Sequence, residues 1–154
     1  FGLPVGKPCT YEWCFLAHRL RFNAVVRLDI SNSFITGRSP PFDKLSGLTA
    51  LLDSLKVSES LTVLNMSYCN LFGEGARLVA AMMKENNTVT ALDLAQNDIG
   101  PAGAEHVLRM VSRVATGRSV LYNLDVTMNN IPPPLKKKLV ECSRHLHRLH
   151  VNKH

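Results

Sequence analysis

Apolar and polar side chains follow the same order three times between residues 61 and 131. Each copy has a large apolar residue at its first, fourth and sixth positions, and the copies begin at Leu61, Val89 and Leu121. The starts lie 28 and 32 residues apart, and a looser copy begins at Val25. Side chains two positions apart in a strand share one face, so each copy predicts a short strand with two buried side chains. Recurrence at this interval predicts a solenoid of stacked units.

Between the predicted strands the apolar residues change to the three- and four-residue spacing of an amphipathic helix. The first such stripe consists of Trp13, Leu16, Ala17 and Leu20. Proline is tolerated in the first helical turn, which places the start of the second helix near Pro41 or Phe42. Glycines open the third and fourth helices. Helices are therefore predicted over residues 10–22, 41–55, 73–85, 100–115 and 134–149.

The phrase LxxLxLxxNxL followed by a glycine-opened helix resembles a leucine-rich repeat, and the 28-residue spacing resembles the ribonuclease-inhibitor-like subfamily. The resemblance covers about residues 23–131. It implies an α/β fold, a right-handed β-α leucine-rich-repeat solenoid with about four parallel strands on the concave face and helices on the convex face. It also implies that Asn97 and Asn129 bond backbone groups where the chain leaves the sheet. Cys69 is a common substitute at that position, and Ser33 is a weaker match.

The chain divides into three parts. Residues 1–24 are a lead-in and a helix, whose spacing to the next strand is that of the end of an earlier repeat. Residues 25–131 are the leucine-rich repeats, and residues 132–154 are a basic C-terminal helix that caps the open end of the core. Because the first residue is Phe1 rather than methionine, we expect a removed presequence or a longer parent chain.

Composition restricts the class of protein and its location. With 45% hydrophobic and 19% charged residues, the chain has the balance of a globular domain. No apolar run approaches the ~20 residues that cross a bilayer, and the start lacks a signal-peptide pattern, so no membrane contact is expected. The four cysteines lack zinc-binding spacing and are interpreted as free thiols in a reducing compartment. The expected location is therefore intracellular, either cytoplasmic or cytoskeletal, or mitochondrial.

Candidate catalytic and cofactor motifs are better explained as parts of the repeat. Gly73 and Gly75, followed by Asp93, have some spacing of a dinucleotide fingerprint, but Leu78 occupies the place of its third glycine. Histidines near the C-terminus could share helical faces, yet only Cys142 lies near enough to add another metal ligand. No Ser/His/Asp or Cys/His arrangement stands out. We therefore expect a non-enzymatic protein without metal, cofactor or small-molecule substrate.

Strand positions that point away from the core are the first candidates for binding. In successive copies they form columns across the concave face, and one column is acidic, which suits a basic partner. An Asp or Asn between the two core leucines is also common in the family, which offers a structural explanation. Tyr68 is the best single anchor, because amphipathic rings are favoured at interfaces. The candidate partner-binding residues are Arg27, Asp29, Asn65, Tyr68, Asp93, Gln96, Asn123, Asp125 and Met128.

Positive charge is concentrated at the two ends of the chain. Residues 1–28 carry four basic and one acidic side chain, residues 29–134 eight and ten, and residues 135–154 six and one. The apolar face of the last predicted helix consists of Leu135, Leu139, Val140, Leu146 and Leu149. Its candidate basic docking surface consists of Lys136, Lys137, Lys138, Arg144 and Arg148. No aromatic residue lies among these bases, which disfavours stacking on single-stranded nucleic acid.

Repeats without a catalytic constellation predict an interaction scaffold, a structural subunit of a larger intracellular assembly whose partners are other proteins. The first alternative is an RNA-contacting component of an organellar ribosome or another ribonucleoprotein, with RNA on the basic C-terminal segment. The second alternative is a cytoskeletal or axonemal scaffold, in which the same segment contacts acidic tubulin tails. The sequence leaves these alternatives open.

Overall fold

The computed structural model describes residues 10–22, 24–33, 35, 45–117 and 119–151. Helices and strands alternate along them, as the repeated pattern predicts. In chain order they are α1 (Thr10–Leu20), β1 (Arg27–Asp29), α2 (Ser46–Lys56), β2 (Val63–Asn65), α3 (Phe72–Glu85), β3 (Ala91–Asp93), α4 (Gly100–Ala115), β4 (Asn123–Asp125), α5 (Pro133–Cys142) and β5 (Arg148–His150), with a short 3₁₀ turn (Ser143–His145) before β5.

The strands of the described residues form one parallel sheet whose order is the order of the chain. Leu28, Leu64, Leu92, Leu124 and Leu149 lie side by side across it, one from each strand. Parallel neighbours must be joined by a crossover, and here each crossover contains a helix that packs on the helix before it. The α/β leucine-rich-repeat solenoid predicted from the sequence is confirmed.

The core lies between the sheet and the helix layer. Both predicted inward positions of the middle strands are at most 2% exposed, and these are Leu64, Met66, Leu92, Leu94, Leu124 and Val126. The predicted stripe of α1 also faces the core, because Trp13, Ala17 and Leu20 are buried and Leu16 packs against them. Burial of one such large aliphatic side chain contributes about 1.5–3 kcal/mol, so this ladder is a main source of stability.

A buried row of polar side chains fixes the end of the sheet where the chain turns towards the helices. The Oδ1 of Asn97 accepts hydrogen bonds from the N–H groups of Cys69 and Leu71, at 2.8 and 3.3 Å. Its Nδ2 donates to the carbonyl groups of Met66 and Leu94, at 2.8 and 3.0 Å. Each buried backbone group thus has a partner, which avoids the cost of leaving it unsatisfied.

The same contacts continue in the neighbouring units. The Oδ1 of Asn129 accepts from the N–H of Asn97 at 2.8 Å, and its Nδ2 donates to the carbonyl of Leu94 at 2.7 Å. At the equivalent place, the thiol of Cys69 donates to the carbonyl of Ile30 at 3.1 Å. Burial raises the pKa of Cys69 to about 11, although a hydrogen bond from the backbone of Ser33 acts in the opposite direction.

The prediction of one helix from Pro134 to Leu149 was wrong. The helix α5 ends at Cys142, and after the 3₁₀ turn the chain forms β5 beside β4. The physical reason is visible in the apolar residues, since Leu146, Leu149 and Val151 have the first, fourth and sixth positions of the strand phrase. The sheet therefore has five described strands rather than about four.

Two further expectations need adjustment, and others lie outside the described residues. Val140, predicted on an apolar face, is 53% exposed, whereas Leu139 is completely buried. The helix α1 ends at Leu20, two residues before the predicted end. The predicted start of α2 at Pro41 or Phe42 and the extended lead-in over residues 1–9 fall outside the described ranges. Within those ranges, no helix is long and apolar enough to cross a bilayer.

Candidate functional site

The strand register brings the predicted acidic column together. Asp29 lies beside Asn65, Asn65 beside Asp93, and Asp93 beside Asp125. Adjacent strands are about 4.8 Å apart, so neighbouring side chains of the column are within reach of one long partner side chain. β5 extends the column with His150 next to Asp125, a residue that was expected on a helix.

Each polar side chain of this column is held by the backbone two residues further on. The N–H of Ser31 donates to Asp29 Oδ1, and the N–H of Ala95 donates to Asp93 Oδ1, at 3.0 and 2.9 Å. Equivalent bonds are Ser67 N–H to Asn65 Oδ1 at 3.0 Å and Thr127 N–H to Asp125 Oδ1 at 2.9 Å. These turns fix the direction of the side chains and leave the second carboxylate oxygen pointing away from the turn.

Asp29 and Asp93 differ in charge environment. Burial acts to raise the pKa of Asp29, yet hydrogen bonds from Ser31 and from Asn65 Nδ2 together hold that pKa below its ordinary value. Burial and the neighbouring carboxylates of Asp125 and Asp29 raise the pKa of Asp93, while the Ala95 N–H and His150 oppose this rise. A positively charged neighbour would therefore stabilise the ionised form of Asp93.

A second column lies where the strands end, and its backbone is left-handed. Asn32, Tyr68, Gln96 and Met128 all have φ between 55° and 57°. Asparagine tolerates this region, but a bulky side chain is uncommon there. Tyr68 and Met128 nevertheless project into solvent, at 51% and 59% exposure, and Gln96 Nε2 donates to Met128 Sδ at 3.1 Å. The predicted anchor Tyr68 therefore lies on an exposed, partly apolar rim.

A third column, formed by the first residue of each strand, runs along the opposite edge of the face. Arg27 is exposed at one end and Arg148 at the other, with Val63, Ala91 and Asn123 between them. The Oδ1 of Asn123 is buried and has no hydrogen-bond partner among the described residues.

The residues of the predicted basic docking surface lie on three consecutive elements. Lys137 and Lys138 are exposed on α5, Arg144 lies in the 3₁₀ turn, and Arg148 points to the concave face from β5. Lys136 lines a small cavity of 170 Å³ with residues of the segment after β4 and with Val151. The expected five-residue surface is therefore divided among three elements.

A stacked pair of rings lies beside this region. The rings of Tyr122 and His147 are 4.5 Å apart and inclined by only 9°, because β5 places His147 next to the start of β4. The sequence reasoning missed this contact by extending a helix through His147. The signal that could have found it is the strand phrase that begins at Leu146.

The candidate metal ligands of the sequence are its C-terminal histidines and Cys142. Within those residues, no three His, Cys, Asp or Glu side chains come together as a metal site. His147 and His150, predicted on one helix, lie at β5. The described cysteines, Cys14, Cys69 and Cys142, are free thiols.

Comparison with known proteins gives a family pattern and a related architecture. The sequence model of a family described as Leucine Rich repeat matches residues 57–80 and 85–107. Among the solved structures, "Leiomodin-1 Actin-Binding Site 2 (ABS2)" is similar with a TM-score of 0.71, over 96% of this chain and 81% of that chain. Sequence identity to it is 14%, so the similarity is one of fold. No curated protein sequence matches the chain.

Proposed function

Because the chain is a leucine-rich-repeat solenoid, we propose that it is a non-enzymatic scaffold that binds a basic segment of another protein across its concave face. Solenoids present extended concave surfaces that suit this role. The binding face consists of Arg27, Asp29, Asn65, Tyr68, Asp93, Gln96, Asn123, Asp125 and Met128. In this proposal the partner is one component of a larger assembly.

The observation that carries the proposal is the pair of carboxylates at the centre of the face. Asp93 and Asp125 are in register on adjacent strands. One oxygen of each is fixed by a backbone N–H, and the other accepts no hydrogen bond from the described residues. Two like charges at this distance disfavour each other, and a lysine or arginine between them relieves the repulsion. Exposed Tyr68 and Met128 supply apolar contact area at the rim.

The decisive experiment removes the charge and keeps the local structure. Asn65 makes in its own strand the same turn contact as Asp93, so Asp93→Asn and Asp125→Asn should preserve the backbone bonds. The bait is the double variant, compared with the wild-type chain in a quantitative pull-down followed by mass spectrometry. Asp53→Asn on α2 is the matched control, because Asp53 is an exposed carboxylate on the helix side of the molecule.

We expect a stoichiometric protein partner with the wild-type chain and with Asp53→Asn. Recovery by the double variant should fall at least about tenfold, which corresponds to 1.4 kcal/mol of binding free energy. A partner that is captured equally by the double variant contradicts the acidic column as the binding site. Capture of chaperones alone, with no stoichiometric partner, contradicts the scaffold proposal itself.

RNA contact through the basic C-terminal segment is the second proposal. It is supported by the excess of six basic over one acidic side chain in residues 135–154 and by the exposure of Lys137 and Lys138. Binding of RNA should weaken steeply as salt increases, and reversal of charge at positions 136–138 should remove it. RNA binding that does not respond to these changes would exclude this segment.

The cytoskeletal alternative is a proposal that takes its support from architecture. The similar structure is an actin-binding region of leiomodin-1 by its title, and the likeness extends to fold alone. Co-sedimentation with filamentous actin tests this candidate directly, and a chain that stays in the supernatant contradicts it.

The free thiols support an intracellular location, cytoplasmic or mitochondrial. The complete helix in each unit supports the ribonuclease-inhibitor-like subfamily.

A further inference from the structure

A groove between α3 and α4 lies on the helix side of the solenoid, away from the strand columns. Its volume is 310 Å³. The residues that line it are Arg77, Ala80, Ala81, Lys84, His106, Arg109, Met110 and Arg113. On each helix these positions recur at intervals of three or four, so they form one face of α3 and one face of α4. The groove therefore follows the two helices for about two turns.

The floor of the groove is apolar, and it is open because two of its residues are small. Ala80 and Ala81 leave space above α3, and Met110, which is only 4% exposed, closes the bottom from α4. The volume is at the lower end of the range of ligand pockets, about 300–1,000 Å³. It accommodates a few apolar side chains of a partner and is too small for a folded domain.

The rim of the groove is positive on both sides. Arg77 and Lys84 border it on α3, and Arg109 and Arg113 border it on α4, so the lining carries four permanent positive charges. None of the described carboxylates lines it. The side chain of Arg113 bridges the helices, since its Nη2 donates to the carbonyl of Lys84 at 3.2 Å. This arrangement excludes a basic partner from the groove.

The ion pairs at the rim are of a kind that a partner can replace. Arg77 contacts Glu74 at 2.6 Å, and Arg109 contacts Glu105 at 3.5 Å, each within its own helix. All four side chains are 45–69% exposed. Exposed pairs of this type contribute little stability, about 0–1 kcal/mol. A carboxylate of a partner can therefore take over either arginine at small cost.

From this apolar floor and cationic rim we infer that the α3–α4 groove binds an acidic amphipathic helix of a partner protein. Leucine-type side chains on one face of that helix fill the space above Ala80 and Ala81, and its flanking glutamates or aspartates pair with the rim. A helix packs well along a groove between two other helices. His106 supplies the only ring among the described residues that line the groove, so RNA would find little surface for base stacking.

The test uses a labelled synthetic peptide of 18 residues, with leucines at positions i, i+3, i+4 and i+7 and glutamates elsewhere. Fluorescence anisotropy measures its affinity for the full chain. We expect saturable binding that weakens at least about tenfold for Lys84→Glu, which reverses a rim charge, and for Ala81→Trp, which fills the floor. Lys84 and Ala81 are exposed, so both variants should fold. Lys137→Glu is the matched control and should change the affinity by less than about twofold, since Lys137 is outside the groove.

Three results would overturn the inference. The first is equal binding of a scrambled peptide with the same composition, which would show attraction by charge alone. The second is binding that neither Lys84→Glu nor Ala81→Trp weakens. The third is a loss of affinity on Lys84→Glu that is larger for a uridine 20-mer, or for vesicles containing phosphatidylserine, than for the peptide. The groove is separate from the concave face, so the double variant Asp93→Asn and Asp125→Asn should leave the affinity for the peptide unchanged.

Discussion

Two rows of polar side chains cross the same sheet, and they use the same contact for different purposes. The buried row contains Cys69, Asn97 and Asn129, and the outer row contains the exposed Asp29 with the half-buried Asn65, Asp93 and Asp125. Both rows bond backbone groups at every strand. In the buried row the polar atoms are occupied by the fold, whereas in the outer row Asp93 and Asp125 each keep one carboxylate oxygen that accepts no hydrogen bond from the described residues. The difference shows that burial, more than residue type, decides whether the fold uses all the hydrogen-bonding atoms of a polar side chain.

The largest effect that the comparison predicts is at Asn97. Asn97→Ala leaves the N–H groups of Cys69 and Leu71 and the carbonyl groups of Met66 and Leu94 without their partner. Each unsatisfied buried group costs about 1–3 kcal/mol, so the free energy of unfolding in urea should fall by about 3 kcal/mol or more. Asn87→Ala, at an exposed asparagine, should change it by less than about 0.5 kcal/mol. Equal effects of the two variants would remove the distinction between the rows.

Cys69 should give an intermediate effect that depends on pH. Its pKa is raised from 9.0 to about 11 in the folded chain, so the folded state holds the proton more tightly than the unfolded state. The stabilisation is present below pH 9 and is lost as the pH rises towards 11. The stability advantage of wild type over Cys69→Ala should therefore shrink by about 2 kcal/mol across this range. An advantage that is constant from pH 8 to pH 11 would show that the thiol does not ionise as its burial requires.

The smallest effects are expected in the outer row, and they should have opposite signs at Asp93 and at Asp29. The raised pKa of Asp93 means that its charge destabilises the fold at neutral pH, so Asp93→Asn should raise the melting temperature. The lowered pKa of Asp29 means the reverse, so Asp29→Asn should lower it. Each shift should be at most about 2–4 °C at pH 7, the change that about 1 kcal/mol produces in a domain of this size.

Both shifts should disappear as the pH falls and the two aspartates become protonated. Differential scanning calorimetry at pH 7 and at pH 3 measures this. Shifts of the same sign at the two positions would contradict the account of the column in which Asn65 stabilises Asp29 and Asp125 repels Asp93.

The concave face could be predicted from the sequence because a strand has a fixed period of two. Once Leu64 and Leu92 are assigned to the core, Asn65 and Asp93 must point outward and lie in register, and the structure places them there. The asparagine contacts were accessible through the family resemblance. The direction of the pKa shifts was not accessible, because it depends on which side chain stands on the adjacent strand.

The strand β5 and the α3–α4 groove were not predicted from the sequence, for different physical reasons. A proline is tolerated in a first helical turn, and the three consecutive lysines suit the solvated face of a helix, so this pattern concealed the strand phrase at Leu146. The groove was not predicted because the basic and acidic side chains of residues 29–134 nearly cancel when they are counted along the chain. In the folded chain the opposite charges lie on different layers. Asp93 and Asp125 lie on the sheet, and Arg109 and Arg113 lie on the helix α4.

The register of the sheet is independent of the length of chain between strands. The leucines that pair across the strands are separated by 36, 28, 32 and 25 residues, yet the pairing never shifts by a position. Insertions and deletions are absorbed among the helices and loops. The two faces of the molecule are therefore open to different kinds of evolutionary change. The helix side can vary in length as well as in residue type, while the strand columns can vary by substitution alone.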